Sequence, residues 1–101
     1  MTEFCTVAKI SELPEGKGKM CQVQDRAIAL FRFGNSFYAL DNVCPHRGGP
    51  LAEGSVQEDA VTCPWHGFRF DLKTGGNPDG MPYQVRRYEV RVQGEDVQVG
   101  I

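Results

Sequence analysis

Apolar and polar residues alternate along this chain in short runs broken by turn-forming residues, and no stretch sustains a helical period. Residues 4–10 read as a first strand. The polar run Ser11-Glu12-Leu13-Pro14-Glu15-Gly16 reads as a turn region, with Pro14 and Gly16 as breakers. Residues 17–23 predict a second strand, and Gln24-Asp25 the turn into a third at 26–33. In that third strand Ala27, Ala29, Phe31 and Phe33 fall on one face and Ile28 and Leu30 on the other. Apolar residues on both faces predict a central strand. Gly34-Asn35 suits a tight hairpin because both residues tolerate positive φ. The return strand, 36–42, sets Phe37 and Ala39 opposite Tyr38 and Leu40.

Further on the runs become shorter. Residues 54–56 and 60–62 predict a small hairpin about Glu58-Asp59, and 68–72 a further strand closed by Thr74-Gly75-Gly76. A last hairpin sets Tyr88, Val90 and Val92 against Glu89, Arg91 and Gln93, with Val97 and Val99 following the Gly94-Glu95 turn. Many short strands at regular turns predict an all-β protein.

With 101 residues the chain is expected to form a single domain, 1–101. So small a domain buries proportionally little surface, and a metal centre tying loops together would help hold it folded. A net charge of −2 offers no basic face for nucleic acid. The first ten residues lack a basic region followed by a long apolar run, and no run of about 18 apolar residues occurs. A cytoplasmic protein without a membrane span is expected.

Two loops carry the candidate chemistry: Cys44-Pro45-His46-Arg47-Gly48-Gly49-Pro50 and Cys63-Pro64-Trp65-His66-Gly67. Each offers a thiol and an imidazole, common ligands for soft and borderline metals. Zinc fingers bring two ligands of one loop to one ion with at least two residues between their cysteines, and Cys-x-His leaves only one. A structural Cys2His2 zinc site therefore fits less comfortably than two metals straddled by each loop. Of the four cysteines, Cys5 and Cys21 lie in strand-like segments and read as buried small hydrophobes.

The stretches CPHRGGPL at 44–51 and CPWHGFRFDLKTG at 63–75 resemble the Rieske family, in which two histidines replace two cysteines on one iron of a [2Fe–2S] cluster. The resemblance implies the Rieske fold, an antiparallel β-sandwich base with a small cluster-binding subdomain at about 43–69. It implies one cluster, with Cys44 and Cys63 on the inner iron and His46 and His66 on the outer one. It implies that the histidine edges face a docking partner, beside Arg47, and that Trp65 covers the cluster or its rim. Pro78-Asp79-Gly80-Met81-Pro82 is similar to the proline-containing loop that covers one side of such clusters. Respiratory members carry a disulfide between the cluster loops, but the corresponding positions here are Gly49 and Trp65, which places the chain with the soluble, ferredoxin-like branch. Where those members carry a serine and a tyrosine hydroxyl near the cluster, this chain has Phe68 and Phe70.

The function implied is a one-electron carrier, passing electrons from a flavoprotein reductase to a terminal oxygenase. The alternative is the small subunit of an assimilatory NAD(P)H nitrite reductase, working with its large subunit. A Rieske oxygenase would need a further iron site with two histidines and a carboxylate. His46 and His66 are the only histidines in the chain, so it is expected not to be an enzyme. When free it is expected to be a monomer.

Overall fold

The computed structural model describes residues 3–46, 48–65 and 67–100. Among them are ten strands: β1 (Phe4–Lys9), β2 (Gly18–Val23), β3 (Arg26–Phe33), β4 (Ser36–Asp41), β5 (Ser55–Gln57), β6 (Ala60–Thr62), β7 (Arg69–Asp71), β8 (Arg87–Tyr88), β9 (Val90–Gln93) and β10 (Asp96–Gly100). They form three antiparallel sheets, ordered β1-β10-β9, β2-β3-β4-β8 and β5-β6-β7.

The fold is built about β3, which is paired on both sides as its two apolar faces predict. Ile28, Ala29, Leu30 and Phe31 are all fully buried. Because strand side chains alternate, these four supply two different cores. Ile28 and Leu30 pack with Leu13, Ala39, Tyr88, Val97 and Val99, a core closed by the β1-β10-β9 sheet. Ala29 and Phe31 pack on the other face with Leu40, Leu51, Val61, Phe70 and Leu72. Cys44 and Cys63 belong to this second core. The sandwich base and the small sheet thus share one central sheet as their wall.

Several expectations need correction. Ile10 does not extend β1 but opens a 3₁₀ turn, Ile10–Glu12, whose Glu12 carboxylate accepts the Lys9 backbone N–H at 2.7 Å. At Gly34-Asn35 only Gly34 has positive φ (64°), which is the type II′ pattern. Paired positive φ occurs instead at Gln24 and Asp25 (48° and 68°) and at Glu58 and Asp59 (52° and 63°), turns of type I′ geometry without glycine. The strand expected across 88–93 is split. Tyr88 pairs into the central sheet opposite Ala39, whereas β9 pairs with β10. The switch has a cause in Tyr88: its hydroxyl donates to Asp41 Oδ1 at 2.5 Å and accepts from Arg26 Nη1 at 3.1 Å, holding the ring inside the base core. Val92, on the edge strand β9, is 41% exposed, so the alternation does not run through to the end of that strand.

Candidate metal centre

The first loop leaves the central sheet at Asn42, one residue past the end of β4. Asn42 pins both ends of the loop: its carbonyl accepts the Leu51 N–H at 2.8 Å and its side-chain Oδ1 accepts the Ala52 N–H, also at 2.8 Å. Val43 and Pro50 form a bridge across the neck. Inside it the Cys44 N–H donates to Gly49 O at 2.9 Å, and the Gly48 N–H donates to Cys44 O at 2.7 Å. Gly48 has φ +79°, a conformation that costs an ordinary residue strain.

The second loop repeats this frame between β6 and β7. Its Cys63 N–H donates to Phe68 O at 2.7 Å, and Gly67 has φ +74°. In both loops the cysteine N–H reaches the carbonyl five residues on, and the residue before that carbonyl is a positive-φ glycine. Laid over one another, Cys44 matches Cys63, Pro45 matches Pro64, and Gly48 matches Gly67. His46 then shares a slot with Trp65, and Arg47 with His66. Arg47 and His66 lie outside the described residues.

The two loops meet face to face. Gly49 lies so close to the second loop that a Cβ there would stand 2.8 Å from Cys63 Sγ and 3.1 Å from Trp65 Cβ. Any side chain at 49 would displace the sulfur. The same closeness puts Gly49 and Trp65 side by side, where the respiratory relatives' bridge was expected to be missing. Cys44 and Cys63 are buried, at 2% and 1% exposure. Burial pushes the Cys63 thiol up, the backbone N–H of Trp65 facing its sulfur pulls it down, and a hydrogen bond with the Cys44 thiol raises it again. Without metal the Cys63 thiol therefore favours the protonated state, and a bound cation would displace that proton.

His46 is half-buried and rests on aromatic rings. Its imidazole centroid lies 4.1 Å from that of Phe68, tilted by 45°, and 5.4 Å from that of Tyr83, edge to face. Phe68 and Tyr83 touch each other, with centroids 5.3 Å apart. The described loop residues expose apolar side chains: Val43 and Trp65 are 56 and 49% exposed, and Pro45 and Pro64 are exposed too; Met81, two residues before Tyr83, is 44% exposed. Trp65, expected to cover the centre or its rim, thus turns half its surface outward.

Of the expected ligands Cys44, His46, Cys63 and His66, the structure brings Cys44 and Cys63 together in the second core. It sets His46 against Phe68 and Tyr83, while His66 lies outside the described residues. Sequence reasoning did not find Asn42, which looked like the last residue of a strand, or Tyr83, which had no motif. Phe70 is fully buried in the second core, whereas Phe68 faces His46. Cys5 and Cys21 are only half-buried and line an open groove between β1 and β2, which corrects the expectation of buried small hydrophobes. Cys21 Sγ donates to Val7 O at 3.7 Å, and burial raises its pKa above the ordinary thiol value.

Two buried sulfurs held against each other, with a glycine where no Cβ fits, suit a sulfur-rich metal group. An all-β sandwich presenting such a donor set on two matched loops is the architecture of an iron–sulfur electron carrier. Residues 3–97 match the Rieske [2Fe-2S] domain model, and the chain belongs to that family. The family carries a single Rieske-type [2Fe–2S] cluster.

Similar proteins include components of more than one system. The 3-phenylpropionate/cinnamic acid dioxygenase ferredoxin subunit of Shigella boydii is 34% identical over 96 residues, covering 91% of this chain and 88% of that protein. A carbazole 1,9a-dioxygenase structure, a complex of reduced oxygenase and oxidized ferredoxin, contains a chain with TM-score 0.86 and 29% identity, covering 94% of this chain and 99% of that one. A Mycobacterium tuberculosis protein described as the small subunit of an NADH-dependent nitrite reductase matches with TM-score 0.93 and 27% identity, over 100% of this chain and 96% of that one. Apoptosis-inducing factor 3 of Mus musculus is 30% identical over 96 residues, but there the match spans only 16% of the relative's length. Among the described residues, no helix is long and apolar enough to cross a membrane.

Proposed function

We propose that this chain carries single electrons on a Rieske [2Fe–2S] cluster, from a flavoprotein reductase to a terminal oxygenase. Cys44 and Cys63 hold the inner iron, and His46 and His66 the outer one. The cluster-binding unit is the stretch at about 43–69. The observation that carries the reading is the matched loop pair, which brings two buried sulfurs together under an exposed apolar tip.

When bound, the cluster supplies reversible one-electron exchange. The chain's own residues set the conditions for it. The core around Phe31, Phe70 and Leu51 keeps water from the cysteine side. The Trp65 N–H faces the Cys63 sulfur and favours negative charge there, which stabilises a reduced centre more than an oxidised one. Val43, Pro45, Pro64, Trp65 and Met81 form the face that meets a partner. The oxygenase is the favoured acceptor because dioxygenase ferredoxins cover this chain and their own length alike, at up to 34% identity. The free carrier is a cytoplasmic monomer.

The test is direct. The purified chain should hold two irons and two acid-labile sulfides and, once reduced, show the resonance of a histidine-ligated cluster. One zinc per chain with no iron after reconstitution would refute the reading. The match at TM-score 0.93 over the whole chain favours a second acceptor, a nitrite reductase large subunit. Co-purification with a sirohaem protein would identify that acceptor, whereas turnover in the presence of a ring-hydroxylating oxygenase would identify the first.

A further inference from the structure

We propose that Phe68 and Tyr83 are positioning residues that bracket the His46 imidazole, and that the turn at 77–82 is a latch holding Tyr83 in place. The inference rests on reading His46 as a cluster ligand. Two rings contact this imidazole, Phe68 tilted by 45° with centroids 4.1 Å apart and Tyr83 in a T-shaped arrangement with centroids 5.4 Å apart. Because Phe68 and Tyr83 also contact each other at 5.3 Å, neither can move without the other. A ring leaned upon in this way keeps one orientation, so its ligating nitrogen is aimed before any metal arrives.

The bracket crosses between loops. Phe68 is fixed through its own backbone, whose carbonyl receives the Cys63 N–H at 2.7 Å. Its ring nevertheless serves the histidine of the other loop. The slot that matches Phe68 on the first loop is Gly49, which lies against Trp65 and carries no ring of its own. The two halves of the centre are built differently at equivalent positions.

Tyr83 follows a turn that is knitted to itself and to β7. Asn77 Nδ2 donates to Arg69 O at 3.0 Å, while its Oδ1 accepts the N–H groups of Asp79 at 2.8 Å and Met81 at 3.1 Å. Arg69 donates to both Asp79 carboxylate oxygens, at 3.0 and 2.6 Å. The turn returns to the sheet through a bridge between Gly76 and Gln84 and a bond from Val85 N–H to Gly75 O at 2.8 Å. The Arg69–Asp79 pair is exposed, and such pairs add little to stability. Its effect should therefore appear at the centre and not in the melting temperature.

The test uses the cluster-loaded protein with ¹⁵N-labelled histidine. Pulsed electron paramagnetic resonance of the reduced cluster should resolve two ligating nitrogens. Tyr83→Ala should change the coupling of one of them and speed cluster loss to a chelator several-fold, whereas Tyr83→Phe, which keeps the ring, should match wild type. Asp79→Asn touches no core residue, so it keeps the question answerable if Tyr83→Ala folds poorly. It should reproduce the change in weaker form, and added salt should mimic it in wild type. Two nitrogens whose couplings are unmoved in both Tyr83→Ala and Asp79→Asn, at full iron content, would overturn the bracket alone. A wild-type spectrum without two histidine nitrogens would overturn the ligand assignment and the bracket with it.

Discussion

The two faces of β3 lead into cores of different construction. On the base side Ile28 and Leu30 meet a second sheet of longer strands, and the polar atom of the one tyrosine there is satisfied by Asp41 and Arg26. On the other side Ala29 and Phe31 meet strands of three residues each and two loops whose deepest side chains are thiols. Extended sheet-on-sheet contact can hold itself together by apolar burial. Three short strands make a marginal sheet unless something else ties them. The difference teaches where the metal matters for folding: the base should stand without it, and the loop end should lean on it.

The largest effect should come from the wall the two cores share. Phe31→Ala removes a fully buried ring from the loop-end core, and about 3–5 kcal/mol should be lost. Leu30→Ala on the opposite face should cost about 2–5 kcal/mol. Denaturant melts of the loaded protein measure both. If the cores are as unlike as proposed, only Phe31→Ala should also hasten cluster loss.

Removing the iron sharpens the same contrast. In the metal-free protein, amide exchange in β5, β6 and β7 should quicken strongly while β2, β3, β1 and β10 keep most of their protection. Uniform loss across all three sheets would show that the base depends on the centre as well.

A further change, smaller in stability, concerns the reduction potential. Neither Phe68 nor Phe70 can donate a hydrogen bond to sulfur, so the midpoint should lie near roughly −150 mV rather than +300 mV. Phe68→Ser and Phe70→Tyr should each raise it, and protein-film voltammetry reads the shift. Phe70→Tyr is the cleaner variant, because Phe68→Ser also strips a ring from His46.

The turns offer a milder comparison, one from each region. Asp25 in the base and Asp59 at the loop end both hold positive φ. Asp25→Gly should stabilise by roughly 1 kcal/mol, since glycine carries no penalty there. Asp59→Gly should gain less, because its side chain pairs with Lys73 at 3.6 Å.

The smallest effect lies in alkali. Burial, and after it the Asp41 carboxylate, raise the Tyr88 hydroxyl above the ordinary phenol range, partly offset by Arg26. The folded chain keeps this proton longer than the unfolded one. The contribution is thus constant below about pH 10 and declines as pH rises beyond it. Tyr88→Phe should lose that part of the decline, which pH-dependent denaturant melts would show.

What the sequence determined by itself was whatever depends on neighbours along the chain. Alternation in 26–33 identified the central strand, because a strand's two faces are written in successive residues. The two loops that bring Cys44 and Cys63 together were legible because each is local and its glycines and prolines mark the turns. Tertiary structure alone decided the rest. Glu89 is where one extended run changes sheets, and only the distant Asp41 and Arg26, holding Tyr88, explain why. Tyr83 reaches His46 across 37 positions through a turn whose geometry no periodicity encodes. The equivalence of the loops was hidden too, since their histidines sit at different offsets from their cysteines and the shared frame is made of backbone hydrogen bonds. Backbone bonds leave no signature in side-chain identity beyond the glycines that permit them.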